Sequence, residues 1–233
     1  MSAFPVTQHS LVEALRSDNR VVRERAMALA VQVYRAPIIA VAAHRWNLQP
    51  ADAEDLAHDF LMQALAKNWF ARYDATRGKF RTFLRACLVA FAATRAEAAG
   101  RQKRGGHRVH VSLDAIDVAA PDAELDALFD REWVRSVFTA SLEALRTECT
   151  GANRAVTFAV FVAHDIDGPE AMTPPTYATT AHRFDLPATQ VANYLHWARQ
   201  RFRHHVLNTL RALTTSDAEF RDEAKALLGV NLT

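Results

Sequence analysis

Along most of the chain apolar residues return every three or four positions with charged residues between them, the period of amphipathic helices rather than of strands. Leu11 to Leu15 reads as a first helix capped by Ser10, and Val21 to Ile39 as a second, broken near Pro37. The turn Leu48-Gln-Pro-Ala-Asp52 opens a third helix that runs to about Lys67, with Pro50 in its first turn and Asp52 as its cap. Leu56, Phe60, Leu61 and Leu65 form its apolar stripe. A loop carrying Trp69, Phe70 and Tyr73 passes Gly78 into a longer helix from about Phe80 to Ala99. Helices resume at about Glu124 to Arg146 and Arg154 to His164, followed by a turn-rich break from Gly168 to Pro175. Tyr177 to Phe184, the turn Asp185-Leu-Pro187 and a helix from Ala188 to Phe202 then have helix-turn-helix proportions, with Val191, Leu195, Ala198 and Phe202 as the buried stripe. Thr214 to Leu228 reads as one more short helix.

Composition supports this pattern. Of 233 residues 50% are hydrophobic and only seven are glycine, enough apolar surface for one large or two small helical cores. The expected fold class is all-α: two helical domains, 1–106 and 124–233, joined by an acidic linker at 107–123. No apolar run approaches the roughly 18 residues of a membrane span, and Met1-Ser-Ala-Phe-Pro5 lacks the basic start of a secretory leader. A cytoplasmic protein is expected, with no membrane partner. Cys87 and Cys149 are far apart and read as reduced, buried thiols.

The net charge of +2 conceals opposed blocks. Asp52, Glu54, Asp55 and Asp59 crowd the start of the third helix. Arg77, Lys79, Arg81, Arg85, Arg95, Arg101, Lys103 and Arg104 follow, against only Asp74 and Glu97 nearby, which is the footprint of a polyanion-binding face. From Ser112 to Glu132 the sign reverses, with Asp114, Asp117, Asp122, Glu124, Asp126, Asp130 and Glu132 against Arg131 alone.

Candidate chemistry is therefore about binding. Asp52, Asp55 and Asp59 share one helix face, but no companion His or Glu cluster has ligand spacing, so no metal site is expected; the bland alternative is a solvated first turn. His204-His205 point in different directions on a helix. No Ser/His/Asp arrangement, Gly-rich phosphate loop or Walker motif is visible, so neither catalysis nor a cofactor is expected. Phe80 and Phe83 read as core, whereas Trp69, Phe70 and Tyr73 are either core or loop rings that stack unpaired bases. In the last long helix Thr189 and Gln190 occupy the first turn, with Asn193, His196, Arg199 and Arg201 beyond. Gln and Asn pair bidentately with adenine, and the alternative for Asn193 and His196 is simple exposure.

The segments Asp52-Ala-Glu-Asp-Leu-Ala-His-Asp-Phe-Leu61, Arg77-Gly-Lys-Phe-Arg-Thr-Phe-Leu84 and Gln102-Lys-Arg-Gly-Gly106 resemble, in this order, region 2 of the extracytoplasmic-function sigma factors of bacterial RNA polymerase. Residues 177–202 resemble region 4 of the same family. The resemblance implies a factor that directs core RNA polymerase to promoter DNA and assists strand opening. It implies polymerase contacts at Asp52, Glu54, Asp55, Asp59 and Gln63. For the minus-ten element it implies Trp69, Phe70, Tyr73, Lys79, Arg81, Arg85, Arg95, Arg101, Lys103 and Arg104. For the minus-thirty-five element it implies Thr189, Gln190, Asn193, His196, Arg199 and Arg201. An anti-sigma protein is a further partner for which the family leaves room. Two departures stand out: Ala192 and Trp197 replace residues usually basic in the family, and Phe91-Ala-Ala-Thr-Arg-Ala-Glu97 replaces an Asn-containing stretch. The competing readings are a helix-turn-helix regulator acting without polymerase and a metal-dependent phosphodiesterase.

Overall fold

The computed structural model describes residues 10–102, 122–168 and 174–230, and every regular element among them is helical. In chain order these are α1 (Leu11–Leu15), α2 (Arg20–Trp46), α3 (Pro50–Ala66), α4 (Phe80–Gln102), α5 (Ala123–Gly151), α6 (Ala155–Phe161), α7 (Tyr177–Phe184), α8 (Ala188–Leu213) and α9 (Asp217–Leu228). Contacts divide the chain into two compact units, Met1–Ser136 with Ala212–Phe220, and Val137–Arg211 with Arg221–Thr233. Residues 107–121 of the expected linker lie outside the described residues. The second domain was expected from 124, whereas the contacts group the front of α5 with the first unit.

Local sequence explains the helix ends. Ser10 accepts from the Glu13 backbone while the Glu13 side chain accepts from Ser10 N–H, a capping box. The second helix is not broken at Pro37: α2 continues through it to Trp46 and ends on Asn47 in the left-handed region at φ 48°. Pro37 is buried on the core side of α2. Packing of the flanking turns outweighs the lost backbone hydrogen bond. Gln49, not Asp52, is the cap position of α3, and Pro50 is its first residue.

An 18-residue window in α2 with mean hydropathy 1.6 is long and apolar enough to cross a membrane by length and composition, which corrects the expectation that no stretch reaches that length. Its Ala and Val residues raise the average without forming an unbroken apolar run. Ala26, Ala30, Val33, Tyr34, Ile38 and Val41 lie buried on one face, the pattern of a core helix.

The core of the first unit is aromatic. Tyr34 meets Phe80 edge-on at 5.5 Å, and Phe60, Trp69 and Phe91 form a triangle with centroids 5.6 to 6.1 Å apart. Leu125, Phe129 and Trp133 of α5 are buried there too. In the second unit Leu145, Cys149, Val160, Phe161, Ala181, Val191, Leu195 and Ala198 form a separate apolar cluster. The apolar stripe expected on α8 is the stripe that packs.

Candidate nucleic-acid and partner interface

On α3 the apolar stripe Ala53, Leu56, Ala57, Phe60, Leu61 and Ala64 faces the core, so Asp52, Glu54, Asp55 and Asp59 are turned out. Two of these acids are engaged. Glu54 pairs with Arg35 of α2 at 3.1 Å, and Asp59 pairs with Arg95 of α4. Asp52 and Asp55 are exposed. Gln63 is half-buried with its amide oxygen shut from solvent, which removes that atom as a surface contact. Met62 stands 54% exposed beside the acids, an apolar side chain on an otherwise charged face.

The loop between α3 and α4 is not an open display of rings. Asn68 takes a left-handed turn at φ 51°, and Trp69–Arg72 winds into a short 3-10 turn that points its rings inward. Trp69, Phe70 and Tyr73 are 4%, 2% and 8% exposed, so the idea that all three offer free faces to bases does not fit this conformation. The physical reason is burial: a large ring gains more from the core than from solvent. Tyr73 keeps a polar handle, its hydroxyl donating to Gly78 O at 2.8 Å. Burial raises the Tyr73 phenol pKa above its ordinary value, against a hydrogen bond with Thr215 that lowers it.

Beside Tyr73 lies a pocket of about 200 Å³ whose walls include Arg72, Arg77, Lys79, Phe83 and Cys87. It is part apolar and rimmed by cations, a chemistry that suits a planar group attached to a phosphate. Burial pushes the Cys87 thiol up to about 12, so this cysteine stays protonated and is no nucleophile.

The basic helix α4 has partners that no local tally shows. Arg81 pairs with Asp130 and lies 4.6 Å from the centre of the Trp133 ring. Arg85, whose side chain is 3% exposed, pairs with Asp126. Both acids belong to α5, more than forty residues away. Arg81 and Arg85 are therefore structural ion-pair residues in this conformation, a correction to their assignment as free phosphate contacts. Lys79 is exposed at the pocket. The Arg101 side chain, Lys103 and Arg104 fall outside the described residues.

In the second unit a helix, a turn and a helix follow in the expected order as α7, residues 185–187 and α8. Thr176 caps α7 through a reciprocal arrangement with Thr179, and α7 stops at Asp185, left-handed at φ 52°. Leu186 and Pro187 complete the turn and α8 follows. Thr189, Asn193 and His196 are exposed along one face of α8. Gln190 is half-buried and its amide donates to the Tyr194 hydroxyl at 2.6 Å. His196 and Gln200 meet at 3.1 Å. Arg199 is clamped by both oxygens of Asp165 at 2.7 Å, with the Tyr177 hydroxyl beside it. Arg201 pairs with Glu148 at 2.9 Å. These two arginines, expected on the minus-thirty-five element, hold α8 to the turns following α6 and to α5.

Asp165 lies in a five-residue π-helical turn, Val162–Ile166, that continues α6 where a plain α-helix was expected. Such widened turns re-aim side chains, and here Asp165 faces Arg199 while His164 Nδ1 meets Thr180 Oγ1 at 2.9 Å. Sequence reading also passed over Arg154, whose guanidinium lies 4.6 Å from the centre of the Trp197 ring. Its signal was faint, one arginine in the turn between α5 and α6.

Among the described residues no group of three or more His, Cys, Asp or Glu is arranged to hold a metal ion. No protein-family model matches the chain, and neither a curated protein nor a solved structure matches it.

Proposed function

We propose that the protein is a sigma-type initiation factor, resembling the extracytoplasmic-function family, that joins core RNA polymerase to promoter DNA and performs no covalent chemistry. The observation that carries the reading is the pairing, in one chain, of an outward acid row on α3 with a helix-turn-helix on α7 and α8. Asp52 and Asp55 are the acids best placed to meet a basic surface of polymerase, with Glu54 and Asp59 reachable at the expense of their pairs. Thr189, Asn193 and His196 supply the side chains for reading upstream duplex edges.

Strand opening, on this reading, comes from taking up an unpaired base in the pocket bounded by Tyr73, Phe83, Arg72, Arg77 and Lys79. Preferential binding of the flipped base shifts the population toward the open state. A cytoplasmic location follows from such a role.

The burial of Trp69 and Phe70, together with the internal pairing of Arg81, Arg85 and Arg95, favours a second reading: a helix-turn-helix regulator that works on duplex DNA without polymerase. Pull-down of the tagged full chain with purified core polymerase, followed by transcription from a pool of genomic promoters, separates the two. Retention on core and promoter-dependent transcripts support the sigma reading. Duplex binding without retention on core supports the regulator.

A further inference from the structure

We propose that Arg154, braced on Trp197, is a phosphate contact for the duplex-reading face of α8; the proposal rests on the helix-turn-helix reading of α7 and α8. The outward face of α8 carries Thr189, Asn193, His196 and Gln200, all exposed, with the exposed Arg203 following one turn beyond Gln200. The cations further along, Arg199 and Arg201, are taken by Asp165 and Glu148. Base-edge chemistry at the front of α8 thus has its same-face cation, Arg203, about four turns away from Thr189, whereas phosphate contacts close to the reading residues supply most of the affinity and fix the register of a duplex-binding helix.

Arg154 brings a cation to the flank of this face from another element. Trp197 lies one turn beyond Asn193, half-buried, with its ring available to the guanidinium at 4.6 Å. The backbone at Arg154 is tied down: Asn153 before it is left-handed at φ 54°, and Arg154 N–H donates to Cys149 O at 2.7 Å. Stacking on the indole uses the π-face of the guanidinium and leaves its in-plane N–H groups for phosphate oxygens. A stem already held costs less to order on binding than a free arginine. Trp197 is a positioning residue in this arrangement, and Arg154 makes the contact.

The test uses the full chain and a labelled duplex of arbitrary sequence, with affinity measured by anisotropy across a series of salt concentrations. Loss of one phosphate contact makes the slope of log K against log salt shallower by about 0.9. R154Q is expected to weaken binding with that change of slope and an unchanged melting temperature, since Arg154 is exposed. W197L is expected to weaken binding in the same direction because the arginine loses its brace. A wild-type slope in R154Q overturns the contact while leaving the duplex reading in place, and a wild-type slope in W197L overturns the brace. Failure of the unmodified chain to bind duplex overturns the helix-turn-helix reading, and the contact falls with it.

Discussion

Arg95 of α4 and Asp59 of α3 hold one another in an ion pair, although the family resemblance sends one to DNA and the other to polymerase. Both side chains are about half exposed, 45% and 50%, so the pair contributes little to stability, on the order of 0.2–1 kcal/mol. Its larger effect is on availability. D59N should leave the melting temperature almost unchanged yet release Arg95, steepening the salt dependence of binding to DNA by up to about 0.9 in log–log slope. An unaltered slope would show that Arg95 takes no part in DNA binding.

Asp55 is the cleaner probe of the proposed polymerase contact, because it is exposed and outside the Arg95 pair. D55K should abolish retention on core polymerase while changing unfolding free energy by less than about 0.5 kcal/mol, the usual range for a surface substitution. Normal retention of D55K would remove the α3 acids from the polymerase interface.

Arg85 and Asp126 present the opposite case. The arginine side chain is only 3% exposed, so removing its acid leaves a buried charge without compensation. Breaking a fully buried pair costs about 3–5 kcal/mol. Asp126 is 36% exposed, which lets water reach the site and places D126A nearer about 2 kcal/mol. Replacing both by hydrophobic residues should recover much of the loss. Denaturant unfolding of the single and double variants measures this, and a D126A variant as stable as wild type would reject the structural role.

These pairs mark where the sequence was legible and where it was not. Helix periods are local, so the stripes of α3 and α8, the Ser10 cap and the Asp185 turn could all be read from neighbours three or four residues apart. Ion pairs across helices are not local: Asp126 and Asp130 sit in an acidic stretch with Arg131 as its one basic neighbour in sequence, and their partners Arg85 and Arg81 come from α4, more than forty residues away. Continuity of α2 through Pro37 likewise depends on tertiary packing, which single-residue propensity does not contain.

The rings of the α3–α4 loop carry a stability consequence. Trp69 packs on Phe60 and Phe91 at 6.0 and 6.1 Å, so W69A removes core volume and should cost about 3–5 kcal/mol, enough to unfold a marginal domain. Promoter opening lost in W69A would then report unfolding rather than base capture. K79A, on the exposed rim of the pocket, is the discriminating change: it should reduce opening, read by permanganate footprinting, with melting unchanged. Normal footprints in K79A and R77A together would dismiss the pocket as the base site.

Acid should weaken the second unit. Burial raises the Glu148 carboxyl, but hydrogen bonds from Arg201 and His205 outweigh it and leave the pKa below its ordinary 4.5. A depressed carboxylate contributes stability that is present above the unfolded value and lost as pH falls through the folded one. Burial, then Arg201 and His205, also lower His204 below its ordinary 6.5. The unfolded chain takes up that proton first, so this contribution fades as pH falls below 6.5. E148Q should be less stable than wild type at neutral pH, with the gap closing at about pH 4 and below. A gap that stays constant on acidification would deny Glu148 its role.

Gln190 and Asn193 should prove unequal despite similar chemistry. Asn193 is exposed, with its amide free to address a base edge, whereas Gln190 is half-buried and its amide donates to the Tyr194 hydroxyl at 2.6 Å. Asn193 can make a bidentate pair with adenine directly, and losing such a pair costs about 1–3 kcal/mol of discrimination. Gln190 must first give up its bond to Tyr194, which offsets part of any gain at a base, on the order of 1 kcal/mol for a typical hydrogen bond. N193A should therefore relax sequence preference at one base position in a duplex selection experiment, while Q190A should change it less. Y194F, which frees the glutamine without removing it, should raise the contribution of Gln190 to selectivity if that side chain reads a base at all. Identical selected sequences from wild type, N193A and Y194F would mean that this face of α8 does not read bases.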